Sequence, residues 1–160
     1  MSETKVFPTG KKHVSFSEIK KCLMIMTRSS AIGAFIGMMP GLGSAVACFV
    51  AYGEEKRRSK NKKLWGTGIV EGVAAPESAN NAASTGSMLP MLTLGIPGSP
   101  TTAILLGGMV IWGLDPGPML FVEHKEFVWG LIASLYAANF FAVVINLAFI
   151  PAFLWVLRMP

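Results

Sequence analysis

Three long stretches of the chain, 29–53, 78–114 and 127–157, contain no Asp, Glu, Lys or Arg. About 20 apolar residues are enough for one helix to cross the hydrocarbon core of a bilayer. The chain is 52% hydrophobic and only 14% charged, whereas soluble domains carry about 25% charged residues. A soluble protein with a large buried core accounts less well for such long uncharged stretches. The sequence therefore predicts an all-α integral membrane protein.

The charged residues are concentrated between these stretches, and their signs differ from one segment to the next. The segment 54–63 is rich in Lys and Arg, whereas 113–126 carries mainly acidic residues. Because basic loops of membrane proteins are retained in the cytoplasm, we predict that 54–63 and Arg158 are cytoplasmic and that 113–126 is external. The basic run has no interleaved aromatic residues on which bases could stack, so the net charge of +5 does not indicate nucleic-acid binding.

The first uncharged stretch is predicted to enter the membrane and return to the same side. Residues 1–28 are predicted to form a polar tail and an interfacial amphipathic helix, which carry basic residues. A single spanning helix over 29–53 would place those residues and the basic loop 54–63 on opposite sides of the membrane. The sequence Pro40-Gly41-Leu42-Gly43 can instead form a tight turn between two short arms. We therefore predict a re-entrant hairpin over 29–53.

The remaining part of the membrane domain 29–157 is predicted to alternate helices and loops. Its segments are a helix over 64–84, a second re-entrant hairpin over 86–112 broken at Pro97-Gly98, the external loop 113–126 and a helix over 127–150. The two Pro-Gly breaks then enter the membrane from opposite sides. Inverted repeats with broken helices are a recurrent plan of transporters, so the sequence predicts part of an inverted-repeat transporter.

Polar and conformationally permissive residues surround both breaks. A helix that begins inside the membrane directs unpaired backbone N–H groups and the positive end of its dipole into a cavity, where they can bind a carboxylate. The predicted substrate-binding residues are Pro40, Gly41, Gly43, Ser44, Asn80, Asn81, Pro97, Gly98, Ser99, Thr101 and Thr102. The alternative is that the breaks are packing kinks, with small residues that let helices approach closely.

Two carboxylates precede the second break. In an α-helix Glu77 shares one face with Asn80 and Asn81. A carboxylate at membrane depth usually carries a proton, binds a cation or pairs with a base. We predict that Glu77 and Glu71 take part in ion coupling, with Na⁺ bound near Glu77 or a proton carried by it as the two alternatives. For Glu71, a position at the membrane interface is the other interpretation. No other metal and no organic cofactor is predicted.

The sequence argues against an enzyme, and it leaves two roles in a membrane open. The phosphate-binding, nucleophile-elbow and zinc-protease motifs GxxxxGK[ST], GxSxG and HExxH are absent. A transporter would direct its mid-depth polar groups into a cavity, whereas a non-transporting scaffold or docking subunit would bond them to neighbouring helices. On the last helix, Asn139 and Asn146 mark a protein-facing stripe. For them interhelical hydrogen bonding is the favoured role and ligand contact the alternative.

The chain closely resembles the large membrane subunit of the tripartite tricarboxylate transporters (the TctA type) in three segments: MMPGLGSAVACFVAYGEEKRRSK, WGTGIVEGVAAPESANNAASTGSMLPMLTLGIPGSPTTAILLGG and GLDPGPMLF. The blocks EGVAAPESANNAA and LGIPGS are the most specific. The likeness runs from about residue 33 to residue 146, which is a minority of the family's length. Both ends of the chain therefore look truncated relative to the family.

The resemblance implies a multi-pass secondary transporter of the bacterial inner membrane. It implies a small membrane subunit and a periplasmic solute-binding protein as partners, with citrate or a related organic carboxylate as the substrate. It also implies coupling to a gradient of Na⁺ or H⁺ rather than to ATP, which agrees with the absent phosphate-binding motif. Which carboxylate is carried stays open at this point.

Overall fold

The computed structural model of the chain describes residues 16–156, and every regular element in that range is helical. The elements are α1 (Phe16–Gly37), α2 (Gly43–Arg58), a 3₁₀ helix (Lys62–Leu64), α3 (Val70–Gly86), α4 (Met88–Leu94), α5 (Pro100–Ile111), α6 (Leu120–Glu123) and α7 (Lys125–Val156). The predicted all-α class is confirmed for this part of the chain. The start of the predicted polar tail, residues 1–15, and Arg158 lie outside the described residues.

Several helix ends differ from the predicted segment boundaries. α1 runs without interruption through residue 28, and α2 continues past residue 53 to Arg58. A charged side chain favours a position exposed to water, but it does not interrupt the backbone hydrogen bonds of a helix. α3, in contrast, begins at Val70 rather than at residue 64. Gly66 and Gly68 both have a φ of +93°, which is incompatible with an α-helix.

Glycine and alanine bring α1 and α3 into direct backbone contact. A Cβ atom added to Gly33 would lie 2.2 Å from the carbonyl oxygen of Ala79, and one added to Gly37 would lie 2.3 Å from that of Ala83. The other buried members of this core are Ile36, Ala47 and Ala51. Because lipid tails are as apolar as leucine, helices in a membrane associate largely through such close packing of small residues. The first three helices thus form one tightly packed unit.

An ion pair joins α1 to α2 at the end of this unit that is remote from their connecting turn. Arg28 donates through Nε to Oε1 of Glu55 at 2.9 Å and through Nη2 to Oε2 at 2.6 Å. The Glu55 side chain is 2% exposed, and that of Arg28 is 37% exposed. α1 and α2 therefore form an antiparallel pair, the first hairpin, which is closed at its base by a bidentate contact.

α4 and α5 belong to a separate hydrophobic core. Its buried members are Met91, Leu92, Met109, Leu120 and Val128, which come from α4, α5, α6 and α7. α4 ends at Gly95, whose φ of +68° allows its N–H to bond the Met91 carbonyl while the Ile96 N–H bonds that of Pro90. This is a helix end terminated by a glycine in the left-handed conformation. It turns the chain toward Pro97 and Gly98.

α7 is the one helix among residues 16–156 that is long and apolar enough to cross a membrane, judged by length and composition. Its apolar part, Lys125–Phe153, has a mean hydropathy of 2.0, and most of its surface is exposed. The helix extends beyond the predicted range 127–150 at both ends. Shorter apolar helical segments are Cys22–Gly37 and Pro100–Ile111. This all-helical arrangement with a long exposed apolar helix is compatible with a membrane protein.

Candidate functional site

The two helix breaks lie against each other. The first break, 38–42, separates α1 from α2, and the second break, 95–99, separates α4 from α5. A Cβ atom added to the buried Gly98 would lie 2.9 Å from Cβ of Ser87 and 3.1 Å from the carbonyl oxygen of Gly37. Because Gly37 is the last residue of α1, glycine at position 98 lets the second break pack directly onto the beginning of the first.

A cavity of about 340 Å³, which we call the break cavity, lies where the two breaks meet α3 and α7. Small-molecule sites in proteins have volumes of roughly 300–1,000 Å³. The residues that line it are Gly37, Gly43, Ser44, Asn81, Ala83, Ser84, Thr85, Ser87, Met88, Ser99, Pro100, Thr101, Thr102, Leu135, Ala138 and Asn139. None of them is charged, and many carry a hydroxyl or an amide. The cavity can therefore hold a polar solute through hydrogen bonds rather than through ion pairs.

At the first break the beginning of α2 is left open. The residue before the helix, Leu42, offers no side-chain cap. Gly41 and Gly43 have φ values of +83° and +68°, a region in which glycine is strongly favoured, and they form the turn. Ser44, in the first turn of α2, lines the break cavity and makes no side-chain hydrogen bond within the described residues. The first-turn N–H groups and this hydroxyl are thus available to an anion.

At the second break the beginning of α5 is closed by its own residues. Ser99 Oγ accepts the Thr102 N–H at 3.2 Å, and Thr102 Oγ1 accepts the Ser99 N–H at 2.9 Å, which together form a capping box. Pro100 at the first helical position has no N–H to donate. The hydroxyls of Ser99 and Thr102 are therefore used within the chain, and the exposed Thr101 is the residue of this helix start that remains free for a solute.

A second, more open cavity of about 510 Å³ contains Glu77, and we call it the Glu77 cavity. Its lining is Met26, Ser30, Ala74, Glu77, Ser78, Asn81, Ala82, Thr85 and Asn139. Carboxylate, hydroxyl and amide oxygens are the ligands that hard cations take. Within residues 16–156 no group of three or more His, Cys, Asp and Glu side chains is placed to hold a metal ion. The Glu77 cavity thus offers one carboxylate surrounded by neutral oxygen atoms that can coordinate a cation.

Glu71 lies in a different place from Glu77. It lines a cavity of about 300 Å³ together with Arg28, Glu55 and Arg58, next to the base of the first hairpin. It belongs to the first turn of α3, where a negative charge is favoured by the helix dipole. The structure therefore does not bring the two predicted ion-coupling carboxylates together, and the surroundings of Glu71 are those of a charged helix end.

The charged residues at this end of the molecule form pairs. Hydrogen bonds from Arg57 and then Arg58, together with the charge of both, lower the pKa of Glu54 to about 2. The hydrogen bond with Glu55 raises the pKa of Arg28 above its usual value. Glu54 thus neutralises part of the charge of the basic segment, whereas Glu55 pairs with α1.

The predicted substrate-binding residues fall into two groups. The break cavity is lined by Gly43, Ser44, Asn81, Ser99, Thr101 and Thr102. The residues outside its lining are Pro40, Gly41, Asn80, Pro97 and Gly98. Of these, Gly41 shapes the first turn and Gly98 is a packing residue, while Asn80 is half-buried on another part of α3. The pair of adjacent asparagines is therefore split, with Asn81 alone at the cavity.

Two features were not the favoured interpretation of the sequence. Asn139 lines both cavities, and its side chain makes no hydrogen bond within the described residues, whereas Asn146 donates to the Ala142 carbonyl of its own helix at 2.7 Å. The expected interhelical hydrogen bond is thus not found for either amide in this part of the chain. The close contact of α1 with α3 is indicated in the sequence by the four-residue spacing of Gly33 and Gly37. This spacing is typical of tightly packed membrane helices.

The chain is similar to proteins of one transporter family over nearly its whole length. The family model described as Tripartite tricarboxylate transporter TctA family matches residues 2–160. An uncharacterized 52.8 kDa protein in the TAR-I ttuC' 3'region of Agrobacterium vitis is 41% identical over 133 residues, which are 83% of this chain and 26% of that protein. An uncharacterized protein in the TAR-II ttuC' 3'region of the same organism is 42% identical over 128 residues, 80% of this chain and 53% of that protein.

The chain spans between about a quarter and a half of the length of these curated relatives. No solved structure matches it. The family is one of transporters and not of enzymes, and its members are membrane components of tripartite systems. The match over residues 2–160 includes both Pro-Gly breaks and every residue that lines the break cavity. The chain therefore belongs to the tripartite tricarboxylate transporter TctA family.

Proposed function

We propose that this chain forms part of the solute pathway of a membrane permease that carries citrate or related organic carboxylates by ion-coupled secondary transport. The observation that supports the proposal most is the break cavity, an uncharged polar space between two interrupted helices. Family membership favours a transporter over a scaffold. Because the relatives are longer than this chain, the activity is proposed for the complete permease.

The break cavity suits a carboxylate because it offers donors of different kinds. The open first turn of α2 contributes backbone N–H groups, and Ser44 and Thr101 contribute hydroxyls. Hydrogen bonds to an ionised acceptor are roughly twice as strong as those between neutral groups. The cavity lining contains no Lys or Arg that would hold the anion as an ion pair. Binding by neutral donors allows a carboxylate to be bound and also released.

In the membrane, the two hairpins are proposed to be re-entrant and to meet at mid-depth. The base of the first hairpin, with Arg28 and the basic segment 54–63, faces the cytoplasm under this proposal, since basic segments stay inside. The loop 113–126 lies outside, so the second hairpin enters from the opposite side. The contact between Gly98 and Gly37 supports this arrangement because it joins the two breaks. It is the arrangement of an inverted-repeat transporter.

Glu77 is proposed to couple transport to an ion gradient. It is exposed in its own cavity among oxygen donors, where it can bind Na⁺ or carry a proton. Glu71 is assigned a lesser part, because it lies with Arg28 and Arg58 at the charged end of α3.

The complete system is proposed to work in the bacterial inner membrane as a multi-pass protein. Its partners would be a small membrane subunit and a periplasmic solute-binding protein that delivers the carboxylate, as expected for a tripartite transporter.

The substrate site can be tested with the two adjacent asparagines of α3. In cells with the complete permease and its partners, Asn81→Ala should lower the rate of labelled citrate or succinate uptake about tenfold at subsaturating substrate. Loss of one hydrogen bond to a charged group costs about 1.5–3 kcal/mol. Asn80→Ala is the matched control, since Asn80 does not line the break cavity, and it should retain most of the uptake. If both variants transport like the wild type at equal protein levels, the break cavity is not the solute site.

The coupling role of Glu77 has its own test. Glu77→Gln keeps the size of the side chain and removes its charge, so uptake should lose its dependence on the Na⁺ gradient or on the pH gradient. Uptake is measured against each gradient separately in the wild type and in the variant. An unchanged dependence on both would assign the coupling site to another part of the permease.

A further inference from the structure

The break cavity and the Glu77 cavity have one wall in common. Three polar side chains line both cavities: Asn81 and Thr85 from α3, and Asn139 from α7. Glu77 belongs to one cavity alone, and Ser44 and Thr101 belong to the other alone. A solute in the break cavity and a cation beside Glu77 would therefore be held against the same side chains.

On α3 the shared wall is fixed by hydrogen bonds along the helix. Asn81 Nδ2 donates to the carbonyl oxygen of Glu77 at 2.9 Å, and Thr85 Oγ1 donates to the carbonyl oxygen of Asn81 at 3.2 Å. These contacts occupy a donor of each residue and leave the Asn81 Oδ1 and the lone pairs of the Thr85 hydroxyl without a partner among the described residues. The α3 side of the wall thus presents mainly oxygen acceptors, and it is attached to the backbone of the residue that carries the carboxylate.

On α7 the wall is not fixed in this way. The carboxamide of Asn139 is exposed and makes no hydrogen bond with any other described residue. A carboxamide carries two N–H donors and one oxygen acceptor. A carboxylate needs the donors, and a hard cation needs the oxygen. Asn139 can satisfy both from a single side chain, which an ionised glutamate in this position could not do because it has no donor.

We propose that Asn139 is a further ligand-binding residue, placed where the two cavities meet, and that it contacts both the carboxylate solute and the coupling cation. The proposal rests on the proposed function of the two cavities. It extends that function by making the solute site and the ion site neighbours with a common ligand. Binding of the cation would then orient the Asn139 amide for the solute, so that each ligand raises the affinity for the other.

The proposal is tested by equilibrium binding of labelled citrate, with labelled succinate as the dicarboxylate probe, to the purified complete permease. Binding is measured at low and high Na⁺ and at two pH values. Asn139→Ala should lower the affinity for the solute about tenfold and should reduce the enhancement by the cation toward one. Asn146→Ala is the matched control on the same helix. The Asn146 amide bonds to its own helix and lines neither cavity, so both quantities should stay at the wild-type value.

The outcomes separate this proposal from the proposed function. If Asn81→Ala weakens solute binding while Asn139→Ala binds solute with unchanged affinity and unchanged ion enhancement, the role of Asn139 is overturned and the solute site stands. If the wild type binds neither probe, or if Asn81→Ala has no effect, the proposed function itself is overturned. Asn139→Gln keeps the amide on a longer side chain. It should fold even if the alanine variant does not, and partial recovery of binding by it supports the role of the amide.

Discussion

The two helix breaks use similar sequences, yet the helices that follow them begin differently. After the first break α2 begins without a side-chain cap, while the bases of α1 and α2 are joined by the Arg28–Glu55 ion pair. After the second break α5 is closed by a capping box, and no ion pair can join α4 and α5 because 78–114 contains no charged residue. The pair of α1 and α2 thus has a closed base and an open break, whereas the second break is closed by the residues that begin α5.

This difference indicates that the two breaks have different roles. A helix start that is saturated by its own side chains has little left to offer a ligand, so the second break serves mainly as a rigid surface against which the first is packed. The open start of α2 has unpaired donors and a neighbouring hydroxyl, so it is the side of the break cavity that we expect to bind the carboxylate. Four predictions test this difference between the two breaks.

The largest effect is expected from opening the base of the first hairpin. Arg28→Ala leaves the Glu55 carboxylate, which is 2% exposed, buried without its partner. Because Arg28 itself is partly exposed, we expect a loss of about 2–3 kcal/mol, somewhat below the range for a fully buried pair. Thermal unfolding of the detergent-solubilised complete permease measures it. Arg57→Ala is the control, because Glu54 keeps Arg58 and little stability should be lost. If both variants unfold at the same temperature, the Arg28–Glu55 ion pair does not stabilise the pairing of α1 with α2.

A smaller loss is expected from Gly98→Ala at the second break. The added methyl group would be 2.9 Å from Ser87 Cβ and 3.1 Å from the Gly37 carbonyl, so the backbone has to move. Overpacking of this kind costs about 1–3 kcal/mol. Gly107→Ala is the matched control, because its Cβ would meet nothing within 4 Å and the residue lies within α5. If Gly98→Ala is as stable as Gly107→Ala, the two breaks do not pack on each other.

The two serines of the breaks should respond in opposite ways. Ser44→Ala removes a free hydroxyl from the cavity, and we expect citrate affinity to fall about fivefold with the stability unchanged, since one hydrogen bond contributes about 1 kcal/mol. Ser99→Ala removes a helix cap, which costs about 1 kcal/mol of stability, and should leave the affinity within about twofold. Unfolding and binding are measured on the same preparations. If Ser99→Ala lowers the affinity and Ser44→Ala lowers the stability instead, the carboxylate binds at the second break.

The smallest effect concerns pH. The lowered pKa of Glu54, about 2 against a usual 4.5, means that its pairing with Arg57 and Arg58 stabilises the fold above pH 4.5. That contribution is lost as the pH falls toward 2. The effect is small because these groups are exposed and screened. Hydrogen exchange at pH 3 and pH 6 should show acid-induced fraying at the end of α2 in the wild type, less difference in Glu54→Gln, and none in α5. If α5 frays at pH 3 as much as the end of α2 does, the effect of acid is not due to Glu54.

Much of this architecture could be predicted from the sequence because it depends on local chemistry. The positions of both breaks follow from proline and from glycines that adopt positive φ, and the helices between them follow from long uncharged stretches. Helix ends assigned at charged residues, such as the boundary at residue 28, differed, because a charge does not interrupt backbone hydrogen bonding. The ends assigned at Gly and Pro agreed more closely, because these residues change the backbone itself.

The helical class, the two breaks and the family to which the chain belongs follow from the sequence alone. Which polar residues share a space became clear from the three-dimensional packing. It separated Asn81 from Asn80 and Glu77 from Glu71, and it brought Asn139 from a distant helix to the same wall. Hydroxyls, amides and carboxylates have the same chemistry wherever they occur in a chain. Whether they cap a helix, pair with an arginine or face a cavity depends on neighbours that are remote in sequence, and packing alone supplies those neighbours.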